Sequence, residues 1–138
     1  MEQVTDASTD TALSSGAVIS VVAVDDHEGF RETLRELIDA TPGFTLVGEA
    51  SSGEEATQAV EQLTPDLVLM DIAMPGMGGV QAARRILSRY PDVALVFISV
   101  NDPSLYPEVE ALGDAVGRVR KQDLRPRRLR ELWESRAS

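Results

Sequence analysis

Apolar residues along this chain gather either into short continuous runs or into stripes at helical spacing, and the two patterns alternate. Val18 to Val24 is a run that reads as a buried strand, and it stops at Asp25-Asp26. Phe30, Leu34, Leu37 and Ile38 then fall on one face of a helix ending near Thr41-Pro42-Gly43. Phe44 to Glu49 is a second strand, closed by the turn Ser51-Ser52-Gly53. Ala56, Ala59, Val60 and Leu63 give the inner face of a helix from Glu54 to Leu63, stopped by Thr64-Pro65. Asp66 to Met70 is the third strand, and Gly76, Gly78 and Gly79 form a flexible loop behind it. A helix from about Val80 to Tyr90 carries Val80, Ala83, Ile86 and Leu87 as its stripe, and Val93 to Ser99 is the fourth strand. A short helix from about Pro107 to Leu112 and a fifth strand over Gly117 to Arg120 follow. Pro126 suits the first turn of a last helix running to about Trp133.

Five strand–helix units predict an α/β fold, a doubly wound parallel sheet with helices on both faces. Residues 1–16, rich in Thr, Ser, Asp and Ala and without periodicity, are expected to be a disordered tail, leaving 17–138 as one domain.

The strand ends carry the chemistry. In open α/β sheets ligands bind beyond the carboxyl ends of the strands, and there this chain places Asp25 and Asp26, Asp71, Ser99 and Lys121. Three carboxylates at the mouths of two strands repel one another unless a cation or proton intervenes, which asks for a hard divalent metal. Lys121 is the only lysine beside twelve arginines. A compact ammonium is the group suited to reach a single oxygen. His27 is read as a helix-start residue, since hard carboxylates have no need of imidazole.

Composition adds limits. The 138 residues are 43% hydrophobic and contain no cysteine, so disulfides and thiolate metal sites are excluded. No apolar run approaches the ~20 residues of a membrane span, and no secretory signal opens the chain, so the expectation is a cytoplasmic protein with no membrane contact. The net charge of −10 argues against direct nucleic-acid binding. Within it, residues 118–138 carry eight positive side chains against three acids, which suggests a docking face for protein, with Trp133 packed on the body or on that face.

Asp25-Asp26-His27 with Arg31, the segment Asp71-Ile72-Ala73-Met74-Pro75-Gly76-Met77-Gly78-Gly79, and the interval from Ser99 to Lys121 resemble the receiver domain of response regulators in bacterial two-component signalling. The resemblance covers about residues 18–136. It implies a flavodoxin-like five-stranded sheet of order 2-1-3-4-5 with about five helices, and a phosphoryl-accepting Asp71 served by Mg²⁺ (or Mn²⁺). Asp26, Asp71 and the Ala73 carbonyl would bind the metal directly and Asp25 through water, while Ser99 and Lys121 would contact phosphoryl oxygens. The implied partners are a sensor histidine kinase or phosphotransfer protein, then a downstream protein target reached through the face of helix four, strand five and helix five. That face could also form a homodimer. Such a domain is a phosphoacceptor and not a stand-alone enzyme. The opening resembles regulators with a helix-turn-helix output domain, and the chain ends where that domain would begin.

Departures from the pattern fall on the positions that modulate the chemistry. Val100 stands where receivers usually carry Ala or Gly. Arg118 replaces the usual Tyr or Phe, and a guanidinium is not buried cheaply without partners. Gln122 replaces the commoner Pro. Ala73 lies where relatives often have a polar residue, and Asn101 is left as a candidate to orient water. These changes predict slow phosphorylation and a long-lived phosphoryl group. A competing reading is a receiver-like interaction module that works without phosphorylation. A phosphatase of the haloacid-dehalogenase type would need a second Asp where Ala73 stands. A nucleotide-binding enzyme would need a glycine-rich phosphate loop, and the first strand is followed by Asp25-Asp26-His27-Glu28-Gly29.

Overall fold

The computed structural model describes residues 18–101, 106–113 and 116–136. The expected N-terminal tail lies outside them. The elements are β1 (Ile19–Val24), α1 (Glu28–Asp39), β2 (Phe44–Ala50), α2 (Gly53–Leu63), β3 (Leu67–Asp71), α3 (Gly79–Arg89), β4 (Ala94–Ser99), α4 (Pro107–Glu110), β5 (Val116–Arg120) and α5 (Pro126–Glu134). All strand pairs are parallel and the sheet order is β2-β1-β3-β4-β5, as the resemblance implied.

Strand alternation divides the core. Val22, Val24, Val68, Met70, Leu95, Phe97 and Val116 face α2, α3 and α4, joined there by Ala56, Val60, Ala83, Ile86 and Val109. Val21, Ala23, Leu67, Leu69, Val96, Ile98 and Val119 face the opposite way, onto Leu34 and Ile38 of α1 and Leu129 and Leu132 of α5. β1, β3 and β4 contribute to both layers, which is why their sequences read as unbroken apolar runs.

The ends of elements shift by a residue or two, and one shift has a cause that matters. Gly79 opens α3 and does not belong to the loop before it. A Cβ built on Gly79 would lie 2.4 Å from the Asp71 carbonyl oxygen, so only glycine lets the first turn of α3 pack against the end of β3. Gly76, with φ of 72°, makes the turn that brings the chain back. α4 is a single turn, shorter than the helix expected to reach Leu112.

Candidate functional site

Sheet register brings the polar strand ends to one edge. Val24 pairs with Met70, so Asp25 follows β1 beside Asp71, the last residue of β3. Asp71 pairs with Ile98 and Ser99 with Arg120, so Ser99 and Lys121 each lie one step beyond those pairs. Residues up to 96 positions apart therefore meet because parallel strands in this order end level with one another.

Asp25 is 0% exposed and Asp71 is 4% exposed. The backbone N–H of Ala73 donates to Asp71 Oδ1 at 3.2 Å, and that of His27 donates to Asp25 Oδ1 at 2.8 Å. Lys121 Nζ lies 2.7 Å from Asp25 Oδ2 and 3.6 Å from Asp71 Oδ2. One ammonium thus serves two buried carboxylates, with Asp26 beside them. Burial, and next the charge on Asp25, push the Asp71 carboxyl above its usual range. The Lys121 ammonium and the Ala73 N–H pull it back only in part.

Ligand atoms of Asp25, Asp26, His27 and Asp71 all lie within 4.8 Å of one another. Asp26 Oδ1 and Asp25 Oδ2 are buried and accept no hydrogen bond among the described residues, although the second faces the ammonium. Buried carboxylate oxygens with unused lone pairs and an excess of negative charge fit a hard divalent cation with oxygen ligands. His27, the cap residue at the start of α1, is largely exposed, with Nδ1 3.3 Å from Asp25 and 3.2 Å from Asp26.

The other expected residues stand around this centre. Ser99 is buried, and its hydroxyl donates to the Asn101 carbonyl. The Asn101 amide donates to the Tyr106 hydroxyl at 3.4 Å. Val100, 63% exposed, forms the rim. Ala73 is exposed as well, on the loop after β3. Arg118 finds partners on the α4 side of the sheet, donating to the carbonyls of Val109 at 3.2 Å and Gly113 at 3.0 Å. Gln122 lies in the 3₁₀ turn after β5.

Two further residues belong to the site, Phe30, which the sequence showed only as a core position, and Arg31, which it showed only as part of the motif after Asp25-Asp26. Phe30 reads as one more apolar position of α1, yet its ring lies under the Lys121 ammonium, 4.2 Å from nitrogen to centroid. Arg31 donates to the Asp25 backbone carbonyl at 2.7 Å and reaches Glu49 at 3.3 Å, bracing the loop that carries the acids. The basic C-terminal segment is tied to the body at Arg130 and paired within itself elsewhere. Arg130 bonds the Pro42 carbonyl and covers Phe44, Arg136 stacks on Trp133 at 3.4 Å, and Arg128 pairs with Glu131. Trp133 itself packs edge-on against Phe44, on the body of the domain.

A flavodoxin-like sheet with an acidic pocket and a lysine at its carboxyl edge defines a class of small α/β domain, and comparison with known proteins gives the family. The model of the response regulator receiver domain matches residues 21–132. The transcriptional regulatory protein DegU of Brevibacillus brevis is 41% identical over 88 residues, covering 64% of this chain and 37% of that protein. The response regulator UvrY of Escherichia coli K12 is 36% identical over 104 residues, 75% of this chain and 48% of that one. Among solved structures, the signal receiver domain of a NarL response regulator from Mycobacterium tuberculosis superposes with a TM-score of 0.76 at 28% identity, covering 87% and 99% of the two chains. The response regulator domain of Thermotoga maritima CheB gives 0.76 at 26% identity, covering 88% and 98%. This chain belongs to the response regulator receiver domains of two-component signalling. It spans less than half the length of the two curated relatives named here. No described helix is long and apolar enough to cross a membrane.

Proposed function

We propose that this receiver accepts a phosphoryl group on Asp71 from a phosphohistidine of a partner kinase or phosphotransfer protein. The observation that carries the reading is the pairing of a buried Asp71 carboxylate with an ammonium 3.6 Å away, in a pocket whose negative charge is otherwise uncompensated. The Ala73 N–H holds Oδ1, so the carboxylate is fixed for attack along one line. As the new P–O bond forms, the P–N bond to imidazole breaks, and the leaving imidazole takes up a proton. The product is an acyl phosphate.

Asp25, Asp26, Asp71 and the Ala73 carbonyl would hold Mg²⁺ or Mn²⁺. When bound, the ion supplies positive charge to phosphoryl oxygens and offsets the three carboxylates. Lys121 neutralises one phosphoryl oxygen. The Ser99 hydroxyl leaves the Asn101 carbonyl and donates to another, which moves the start of the segment between β4 and α4. Arg118, bonded to carbonyls at the end of α4, links that movement to β5. The readout is a population shift on the α4, β5 and α5 face, where a downstream protein or a second copy would bind. A cytoplasmic setting follows from this chemistry. Val100 at the rim and the apolar Ala73 neither orient water nor open a path for it, so the phosphoryl group is long-lived and Val100→Ala shortens its half-life.

The test is intact-mass measurement after incubation with acetyl phosphate and Mg²⁺. A single added phosphoryl group, absent in Asp71→Ala and blocked by EDTA, is expected. An unchanged mass with both the small donor and a panel of phosphorylated kinases would overturn the reading and favour a module that docks without phosphorylation.

A further inference from the structure

The ammonium of Lys121 is held from two sides that differ in kind. On one side are carboxylates, Asp25 Oδ2 at 2.7 Å and Asp71 Oδ2 at 3.6 Å. On the other is the face of the Phe30 ring, with Nζ 4.2 Å from the centroid. Lys121 lies in the 3₁₀ turn after β5, an edge strand, and its long stem has four rotatable bonds. The carboxylates alone do not fix it. Entry of a divalent cation would offset the carboxylate charge on that side and loosen its hold on the ammonium before a phosphoryl group arrives. The ring is a constraint that does not change with the state of the acids, because its attraction comes from the quadrupole of an uncharged group.

We infer that Phe30 is a positioning residue for Lys121, holding the ammonium at the mouth of the pocket while the carboxylate side is neutralised. Phe30 sits in the first turn of α1, directly after the loop bearing Asp25 and Asp26, and it also packs against the core face of α1. One rigid element therefore sets both the acids and the surface on which the lysine rests. The adjacent Arg31 fixes that turn to the Asp25 carbonyl, so the ring is kept in register with the acids. The inference rests on the phosphoacceptor reading for its kinetic consequence, but not for its structural one.

Lys121 is the only lysine of the chain, so lysine labelled with carbon-13 at Cε gives one side-chain signal without overlap. The expected signature is an upfield ring-current shift of the methylene protons next to the ammonium, in the unphosphorylated protein without metal. The shift disappears in Phe30→Leu and persists in Phe30→Tyr. Phosphorylation by acetyl phosphate slows about three- to tenfold in Phe30→Leu, the range expected for loss of a partly desolvated cation–π contact, and Phe30→Tyr restores it. Mono-, di- and trifluorinated phenylalanine placed at position 30 weaken the quadrupole stepwise at nearly constant volume, and the rate should fall in the same order. A filler of space would show no such gradient. No ring-current shift in the wild type, or equal rates across the fluorinated series, would overturn the inference. If the wild type takes up no phosphoryl group, the phosphoacceptor reading fails while the shift still decides whether the ring holds the lysine. Should Phe30→Leu not fold, the fluorinated series supplies the answer.

Discussion

Replacing Asp71 by Asn should make the metal-free domain more stable, because the native pocket holds more negative charge than its one ammonium can balance. Carboxylates of the cluster lie within 4.8 Å of one another, so at an effective dielectric constant of about 20 each repulsion on Asp71 is at least ~3.5 kcal/mol. The attraction of Lys121 at 3.6 Å is ~4.6 kcal/mol on the same scale. Two repulsions exceed that single attraction by about 2 kcal/mol, before the cost of burying the carboxylate is added. Asn removes all of these terms and keeps an oxygen for the Ala73 N–H. For a chain of this size the gain corresponds to a rise in Tm of roughly 6–10 °C, read by calorimetry or circular dichroism in EDTA at neutral pH. The pH dependence follows with a definite sign. Burial and Asp25 hold the native pKa of Asp71 above the ordinary value of 3.8. Between the two values the native state binds more protons than the unfolded one, so wild-type stability falls as pH rises through that window. The advantage of Asp71→Asn should be small at the acid end and complete above the native pKa. Saturating Mg²⁺ should close the gap, since a cation at one hundred times its dissociation constant stabilises by about 2.7 kcal/mol. An Asp71→Asn protein less stable than wild type in EDTA at neutral pH would refute the reasoning.

Three further outcomes are expected. Lys121→Met should act in the opposite sense, since it leaves the fully buried Asp25 facing Asp71 with no ammonium. A loss of about 3 kcal/mol in urea unfolding without metal, partly recovered by Mg²⁺, would bear this out. Gly79→Ala should destabilise by ~1–2 kcal/mol, because its Cβ would lie 2.4 Å from the Asp71 carbonyl oxygen. The displaced acceptor should also react more slowly with acetyl phosphate, measured alongside the urea midpoint. Arg118→Ala should release α4, and hydrogen exchange should show the amides of residues 108–112 opening about tenfold or more faster, with β1 and β3 unaffected, because bonds to a charged donor contribute about 1.5–3 kcal/mol.

Much of the fold could be read in the chain because its determinants are local. Continuous apolar runs, helical stripes and Gly or Pro stops are properties of neighbouring residues, and they placed β1 to β5 and all five helices within a residue or two. The polar residues ending those runs were legible for the same reason. A carboxylate at the mouth of a buried strand can only lie at the sheet edge, so Asp25, Asp26 and Asp71 could be set near one another before any distance was known. Lys121 stood out by composition, as one lysine among arginines.

The tertiary structure decided what depends on register between elements far apart in the chain. That Phe30 lies beneath Lys121 follows from the packing of α1 against the sheet and from the place of β5 in it, 91 residues later, whereas its sequence signal was only that of a core position. Arg118 was legible as a misfit in a strand, but its solution, two carbonyls at and just beyond the end of α4, required the close approach of β5 to a one-turn helix. Gly79 looked like loop flexibility and is instead a close contact with the Asp71 carbonyl. The basic C-terminal segment reads as a free charged face, yet Arg130 is bound to the body through Pro42 and Phe44, and Arg136 lies over Trp133 within the segment. Hydrophobic periodicity tells which face of an element is buried. Which atoms then meet across that face is set by strand order, register and the reach of long side chains, and these exist only once the chain is folded.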